Sequence, residues 1–256
     1  MNEKDLIYNV KNKVAYFVIN RESQRNSISP ETVSLFLEYL DKAEEDGEVR
    51  VVTVTGSGEK AFCSGADLGG GMGDGGNDAF RNYAKLLKRL AGFPKPTVAK
   101  VNGYCLAGGM GFMLACDIVI AKNTAKFGTP EVNVGLFPMM IGALIFRNIL
   151  RKKAMEMVLL GEKLMADKAL EMGLITRSVP PEDLDSEVDK VLESLSLKSP
   201  IGMEIGKEAF YQMGDMPLEK AVDYLSGKLI EVASTQDAVE GITAFIEKRT
   251  PVFTGK

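Results

Sequence analysis

The chain has 256 residues, 45% of them hydrophobic and 26% charged, with a formal net charge of −4 and no histidine. This is ordinary globular usage, and a chain of this length buries roughly 70–75% of its unfolded surface, in one large domain or a core with an appendage. The acidic balance argues against a general nucleic-acid footprint, no apolar run reaches the roughly 18 residues of a membrane span, and the polar start Met1-Asn2-Glu3-Lys4-Asp5 lacks a secretory h-region, so a cytoplasmic location is expected.

In chain order, 6–10 and 14–20 form short β-type runs around a polar turn. Ser29-Pro30-Glu31 starts a helix, with serine as N-cap and proline at the first helical position. The β-branched run 51–55 fits a strand buried on both faces. A glycine-rich loop, 69–76, precedes a helix over 78–90, which Pro94 and Pro96 close before a strand at 97–101. An apolar helix runs from Gly108 to about Ala115, followed by a strand at 118–121. Helices then dominate: 139–150, 152–160, 166–172, 183–197, 200–213, 217–232 and 235–248, with Ser199-Pro200 and Thr235-Gln236-Asp237 as starts. The shift suggests a β/α core over residues 1–195 and a helical region over 196–256.

Chemistry concentrates in three places. Lys60-Ala61-Phe62-Cys63-Ser64-Gly65-Ala66-Asp67-Leu68 and Asn102-Gly103-Tyr104-Cys105-Leu106-Ala107-Gly108-Gly109-Met110-Gly111 each put small residues where a strand should end. There a ligand could approach backbone N–H groups, and two such donors on one oxygen make an oxyanion hole. The Gly108-Gly109 pair also opens a helix, whose free amides and positive dipole end face whatever lies there. Tight helix–strand packing is the plainer explanation of the pair. Phe127-Gly128-Thr129-Pro130-Glu131 supplies a loop carboxylate. Its neighbours Val134, Leu136, Phe137 and Met139 would desolvate it and raise its pKa; alternatively it is a solvated loop side chain.

Other features carry less. The absence of histidine removes Ser-His-Asp and Cys-His mechanisms and histidine-ligated zinc, leaving Asp, Glu, Lys, Tyr or Cys as a base. Cys63, Cys105 and Cys116 lack metal-type spacing and read as small buried hydrophobes. Gly71-Met72-Gly73-Asp74-Gly75-Gly76 matches a dinucleotide fingerprint only formally, because it does not leave a strand directly; it reads as a surface loop and a candidate lid. Arg151-Lys152-Lys153 reads as a solvated face.

Taken together, these segments resemble the crotonase (enoyl-CoA hydratase/isomerase) superfamily, essentially from end to end. Asn20-Arg21 through Arg25-Asn26-Ser27-Ile28-Ser29 is similar to the family's first CoA-contacting loop, and Lys60–Leu68 and Val101–Asp117 are similar to its oxyanion segments. Phe127–Pro138 resembles its catalytic loop, Gly161–Leu174 the helix pair after the core, and Phe245-Ile246-Glu247-Lys248-Arg249 the usual chain end.

The resemblance implies an α/β spiral of ββα units with two near-perpendicular sheets and a C-terminal helical trimerisation region, assembled as trimers or paired trimers. It implies that the N–H groups of Ala66 and Gly108 polarise the thioester of an acyl-CoA, with Glu131 as base. Arg25 and Lys60, with Phe245 and Lys248 from a neighbouring subunit, would contact CoA. Phe137, Met139 and Met140 would shape the acyl pocket. No metal or cofactor is expected beyond the CoA of the substrate, and no nucleic-acid or membrane partner.

One departure bears on the reaction. Hydratases of this family use two glutamates twenty residues apart; the second falls on Glu131 and the first on Gly111, which has no side chain. Moving a double bond from the 3 to the 2 position needs only one base, so Δ3–Δ2 isomerisation is the expected activity. A hydratase with another second acid/base, and a non-catalytic acyl-CoA-binding homologue, remain alternatives. Dienoyl isomerisation is disfavoured because the position of its carboxylate is Met139, and the histidine-dependent dehalogenase branch is excluded.

Overall fold

Local signals place most element boundaries, and the computed structural model, which describes residues 4–67 and 76–256, shows what they build. The elements in order are β1 (Leu6–Lys11), β2 (Val14–Ile19), α1 (Pro30–Glu45), β3 (Val51–Gly56), β4 (Ala61–Cys63), α2 (Gly76–Ala91), β5 (Thr97–Val101), β6 (Tyr104–Leu106), α3 (Gly108–Leu114), β7 (Ile118–Lys122), β8 (Lys126–Gly128) and α4 (Met139–Asn148). Then come α5 (Arg151–Leu160), β9 (Leu164–Met165), α6 (Ala166–Met172), β10 (Arg177–Val179), α7 (Leu184–Ser196), α8 (Pro200–Met213), α9 (Leu218–Ala233) and α10 (Gln236–Glu247).

The three expected helix starts are capped as their residues dictate: Ser29, Ser199 and Thr235 accept from the N–H groups of Thr32 (3.0 Å), Gly202 (3.1 Å) and Ala238 (3.1 Å). The lid expected over 69–76 lies outside the described residues, apart from Gly76, where α2 begins.

The strands β4, β6, β8, β9 and β10 are absent from the run of predicted elements. Each has three residues or fewer, too short for a periodic pattern to register. They matter, because β4, β6, β8 and β9 make a second sheet in that order, beside a six-stranded sheet ordered β1-β2-β3-β5-β7-β10. The repeat is regular. β3, β5 and β7 pair in parallel in the larger sheet, and the strand following each of them (β4, β6, β8) pairs in parallel in the smaller one, before the chain returns through a helix. The first turn of the spiral has the same form in miniature. After β2, Ile28 makes a one-residue parallel bridge to Ala66 and α1 follows.

Packing explains the composition of the strands. Phe17, Phe36, Phe62, Phe112 and Phe127 are fully buried in one continuous core with Val52 and Val54. On the opposite face of the larger sheet, Val14, Val51, Val98 and Ile120 meet Leu184, Val188, Val191 and Leu192 of α7. Alternate residues of β3 thus enter two different cores, which is why 51–55 reads as an unbroken β-branched run.

Asn26 ties the first turn to the second. Its buried amide donates to the carbonyls of Ser57 (3.0 Å) and Ala61 (2.7 Å), and its oxygen accepts from the Arg21 N–H (3.0 Å) and the Ser57 hydroxyl (3.1 Å). Asn26→Ala should lower stability by about 2 kcal/mol by stranding buried carbonyls. Chemical denaturation of the variant, showing a lower midpoint with an unchanged slope, checks this.

Candidate functional site

Parallel pairing brings three distant segments to one place. Cys63 of β4 is in register with Cys105 of β6, and Leu106 of β6 with Gly128 of β8. The carboxyl ends of three adjacent strands therefore lead into Ser64-Gly65-Ala66, Ala107-Gly108 and Thr129-Pro130-Glu131 respectively. The carboxyl edge of parallel strands is where open α/β sheets offer ligands a crevice.

Both expected amide donors follow a residue with left-handed backbone. Gly65 has φ 98°, and Ala107 has φ 49° and ψ −132°, a conformation that costs a non-glycine residue on the order of 1–3 kcal/mol. The two segments touch: a Cβ placed on Gly65 would lie 2.7 Å from the Ala107 Cβ and 3.3 Å from the Gly108 nitrogen. The Ala107 N–H donates to the Gly128 carbonyl (2.9 Å), which fixes the turn against β8.

Neither donor is spent on the sheet. The Ile28–Ala66 bridge uses the Gly65 carbonyl, which accepts from the Ile28 N–H (2.8 Å), and the Asp67 N–H, which donates to the Ile28 carbonyl (3.1 Å). The Ala66 N–H faces the other way. The Gly108 N–H belongs to the first residue of α3, where no intrahelical acceptor exists. Gly109 must remain glycine, since a Cβ there would meet the Cys63 carbonyl at 2.3 Å.

Arg21 clamps the Ala66 segment. Its guanidinium pairs with Asp5 (3.1 Å) and Asp67 (2.9 Å) and donates to the Ser27 carbonyl (2.7 Å) and hydroxyl (2.9 Å). Arg21 and Asn26, in the loop that resembles a CoA-contacting segment, thus turn inward to hold the oxyanion segment and the second turn. Arg25, in left-handed conformation, is exposed, and its carbonyl accepts from the Ser64 N–H (3.2 Å). Lys60 is exposed at the start of the same segment.

Glu131 lies in a 3-10 turn, Pro130–Val134, closed by Gly135 in left-handed conformation. Burial raises its pKa above the ordinary carboxylate value, with a hydrogen bond from its own backbone N–H opposing the shift. Its Oε2 is buried without a hydrogen-bond partner among the described residues, as is the hydroxyl of Thr129 two residues earlier. Partial burial makes such a carboxylate a better base than a solvated one. The residues following it stay open: Val134 is 66% exposed, Phe137 49% and Met139 74%, while Met140 packs on the core.

Phe245, 84% exposed, and Lys248, which caps α10 in left-handed conformation, stand on a helix that packs against α8 and α9. The chain does not draw them into the strand-end cluster. The cysteines are buried, and burial pushes the thiols of Cys63 and Cys116 up to about 12, consistent with inert core packing. The residue with no sequence signal is Tyr83 of α2. Only 3% exposed, it donates its hydroxyl proton to the Gly108 carbonyl.

Comparison with known proteins identifies the family. Residues 9–256 match the family model described as enoyl-CoA hydratase/isomerase. The (E)-benzylidenesuccinyl-CoA hydratase of Thauera aromatica is 34% identical, over 96% of this chain and 97% of that protein. The short-chain-enoyl-CoA hydratase of Clostridium acetobutylicum is 32% identical, over 97% of each. A crystal structure of enoyl-CoA hydratase from Bacillus anthracis superposes with a TM-score of 0.94 at 31% identity, covering 98% of this chain and 100% of that one. With two sheets wound as in the crotonase fold and a family match over residues 9–256, the chain belongs to the enoyl-CoA hydratase/isomerase family.

Proposed function

We propose that the chain moves the double bond of an enoyl-CoA from the 3 to the 2 position through a thioester enolate, with Glu131 as the single base. The observation that carries this reading is the lone carboxylate: Glu131 is desolvated at the strand edge, and residue 111, where the family's first hydratase glutamate falls, is glycine.

The thioester oxygen accepts from the N–H groups of Ala66 and Gly108. Glu131 takes a proton from C2, and the electron pair passes into the thioester to give the enolate. As the carbonyl reforms, the C2–C3 bond becomes double and the C3=C4 electrons take the same proton back from Glu131 at C4. The base leaves as it began, so no second carboxylate and no resident cofactor is needed. One oxyanion donor is worth about 2.7–4 kcal/mol in such reactions, so the pair supplies a large share of the barrier reduction.

Phe137, Met139 and Met140 line the acyl end in this reading, and unbranched methionines tolerate varied chains. Arg25 and Lys60, exposed beside the oxyanion segment, meet the CoA phosphates or adenine. Phe245 and Lys248 serve a neighbouring subunit's CoA in a trimer or paired trimers. The apolar surface left open on α9 and α10 by Leu229, Ile230, Ile242 and Phe245 supports such an assembly.

A second reading, hydration with another proton carrier, is favoured by the relatives described as hydratases. Wild-type turnover of 3-hexenoyl-CoA against hydration of crotonyl-CoA separates the two. Isomerisation is expected to dominate; faster hydration would replace the first reading with the second, and CoA-ester binding without turnover of either would make the chain a binding homologue. Glu131→Gln should lower kcat by about 10²–10⁴-fold with the folded state intact, and retained turnover would remove Glu131 from its role.

Burial of Glu131 also fixes two pH dependences. Because its folded-state pKa lies above the ordinary 4.5, kcat/KM should fall on acidification at a pH above that value. The same shift makes the ionised form destabilising: the penalty is absent below the unfolded pKa and is fully present once pH rises past the folded one. Glu131→Gln should therefore melt higher than wild type at pH 7, with the gain shrinking as pH falls toward 4.5, as scanning calorimetry would read.

A further inference from the structure

The space a side chain at residue 111 would need is already taken. A Cβ placed on Gly111 would lie 2.3 Å from the Tyr83 hydroxyl oxygen, 2.8 Å from Ile141 Cγ2 and 2.9 Å from Leu87 Cδ2. The phenol reaches this point from α2, with its ring held edge-on to Phe112 at 5.8 Å and 3% exposed. Its proton goes to the Gly108 carbonyl, and its oxygen would lie 3.4 Å from a Cβ on Gly108.

That carbonyl belongs to the residue whose N–H is read as an oxyanion donor. Gly108 has no side chain of its own to anchor it, and it follows Ala107, whose φ of 49° is strained. A strained turn persists only where surrounding contacts over-determine it. On the preceding side the Ala107 N–H is held by Gly128 (2.9 Å); on the following side Tyr83 holds the Gly108 carbonyl. Burial, chiefly, with the Glu131 carboxylate nearby, pushes the Tyr83 pKa well above its ordinary value, so the hydroxyl stays protonated and remains a donor throughout the working pH range.

We propose that Tyr83 is a positioning residue: its hydroxyl, in the space of the absent side chain at 111, pins the first turn of α3 and so aims the Gly108 N–H at the developing oxyanion. This rests on the reading of Gly108 as an oxyanion donor, and it holds for isomerisation and hydration alike, since both pass charge to the thioester oxygen.

Tyr83→Phe removes the hydroxyl and keeps the ring. The test titrates wild type and variant with acetoacetyl-CoA, followed by the near-ultraviolet band of its enolate, and with butyryl-CoA, which forms no stable enolate. Loss of aim should weaken enolate binding about 10- to 100-fold, a part of what deleting a whole donor costs. Butyryl-CoA affinity should stay within about threefold, less than 1 kcal/mol. Enolate affinity within the same threefold, or an equal loss for both ligands, would overturn the proposal.

The readout also separates this proposal from the reading beneath it. If wild type binds both esters and develops the enolate band while Tyr83→Phe matches it, Tyr83 alone loses its role. If wild type develops no enolate band, the oxyanion reading falls and the proposal with it. A second measurement places the hydroxyl independently of any ligand. Gly111→Ala should lower the melting temperature more in the wild-type background than in Tyr83→Phe, because only the former carries the oxygen at 2.3 Å. Equal losses in the two backgrounds would contradict the assigned contact.

Discussion

The parallel pairing of β4, β6 and β8 is the constraint from which the rest of the structure follows. Each strand is only three residues long, yet their registers bring residues 66, 108 and 131 to one edge. Hydrogen bonds within so short a sheet cannot hold it alone. Its stability comes from the larger sheet, where the preceding strands β3, β5 and β7 are longer and rich in β-branched residues facing two cores. The smaller sheet is in effect carried by the larger one, turn by turn.

Such an arrangement lets the edge store strain. Gly65 and Ala107 sit with left-handed backbone, Glu131 is desolvated with one oxygen unpaired, and the Thr129 hydroxyl beside it lacks a partner among the described residues. The positive φ of Ala107 and the unpartnered buried oxygens cost stability, and the proposed enolate chemistry would draw on this edge: amides turned away from the sheet and a carboxylate made more basic by partial loss of water. The compensation lies in nearby groups that are fully bonded. Asn26 spends both ends of its amide joining two turns, and Arg21 gathers Asp5, Asp67 and Ser27 around one guanidinium.

Two groups among the exposed apolar residues bear on the site and on assembly. Val134, Leu136, Phe137 and Met139 follow the carboxylate and adjoin the proposed acyl site, whereas those of α9 and α10 lie on the C-terminal helices. Membership of the enoyl-CoA hydratase/isomerase family implies an acyl-CoA substrate, which bears on the first group alone. Among the described residues no helix is long and apolar enough to cross a membrane, so neither region is a spanning segment.

Sequence alone determined the order of the longer elements, the capped helix starts, the two glycine-bearing segments and the carboxylate twenty residues beyond Gly111. These are local signals: propensity, capping and chemistry carried by a few neighbouring residues. The short strands of the second sheet escaped pattern reading because three residues hold no periodicity, and only the family resemblance implied that sheet. What tertiary structure decided was which side chains share space across the chain. Within the loop that resembles a CoA-contacting segment, Arg21 and Asn26 brace neighbouring turns, and Glu131 became a half-buried carboxylate with one unpartnered oxygen only once packed. Nothing near Tyr83 in sequence marks it, because its partners Gly108 and Gly111 lie more than twenty residues away and meet it only when α2 packs on α3. Contacts of that range depend on the whole spiral being formed, which is why composition and spacing could name the carboxylate but not the hydroxyl that fills the place of its missing companion.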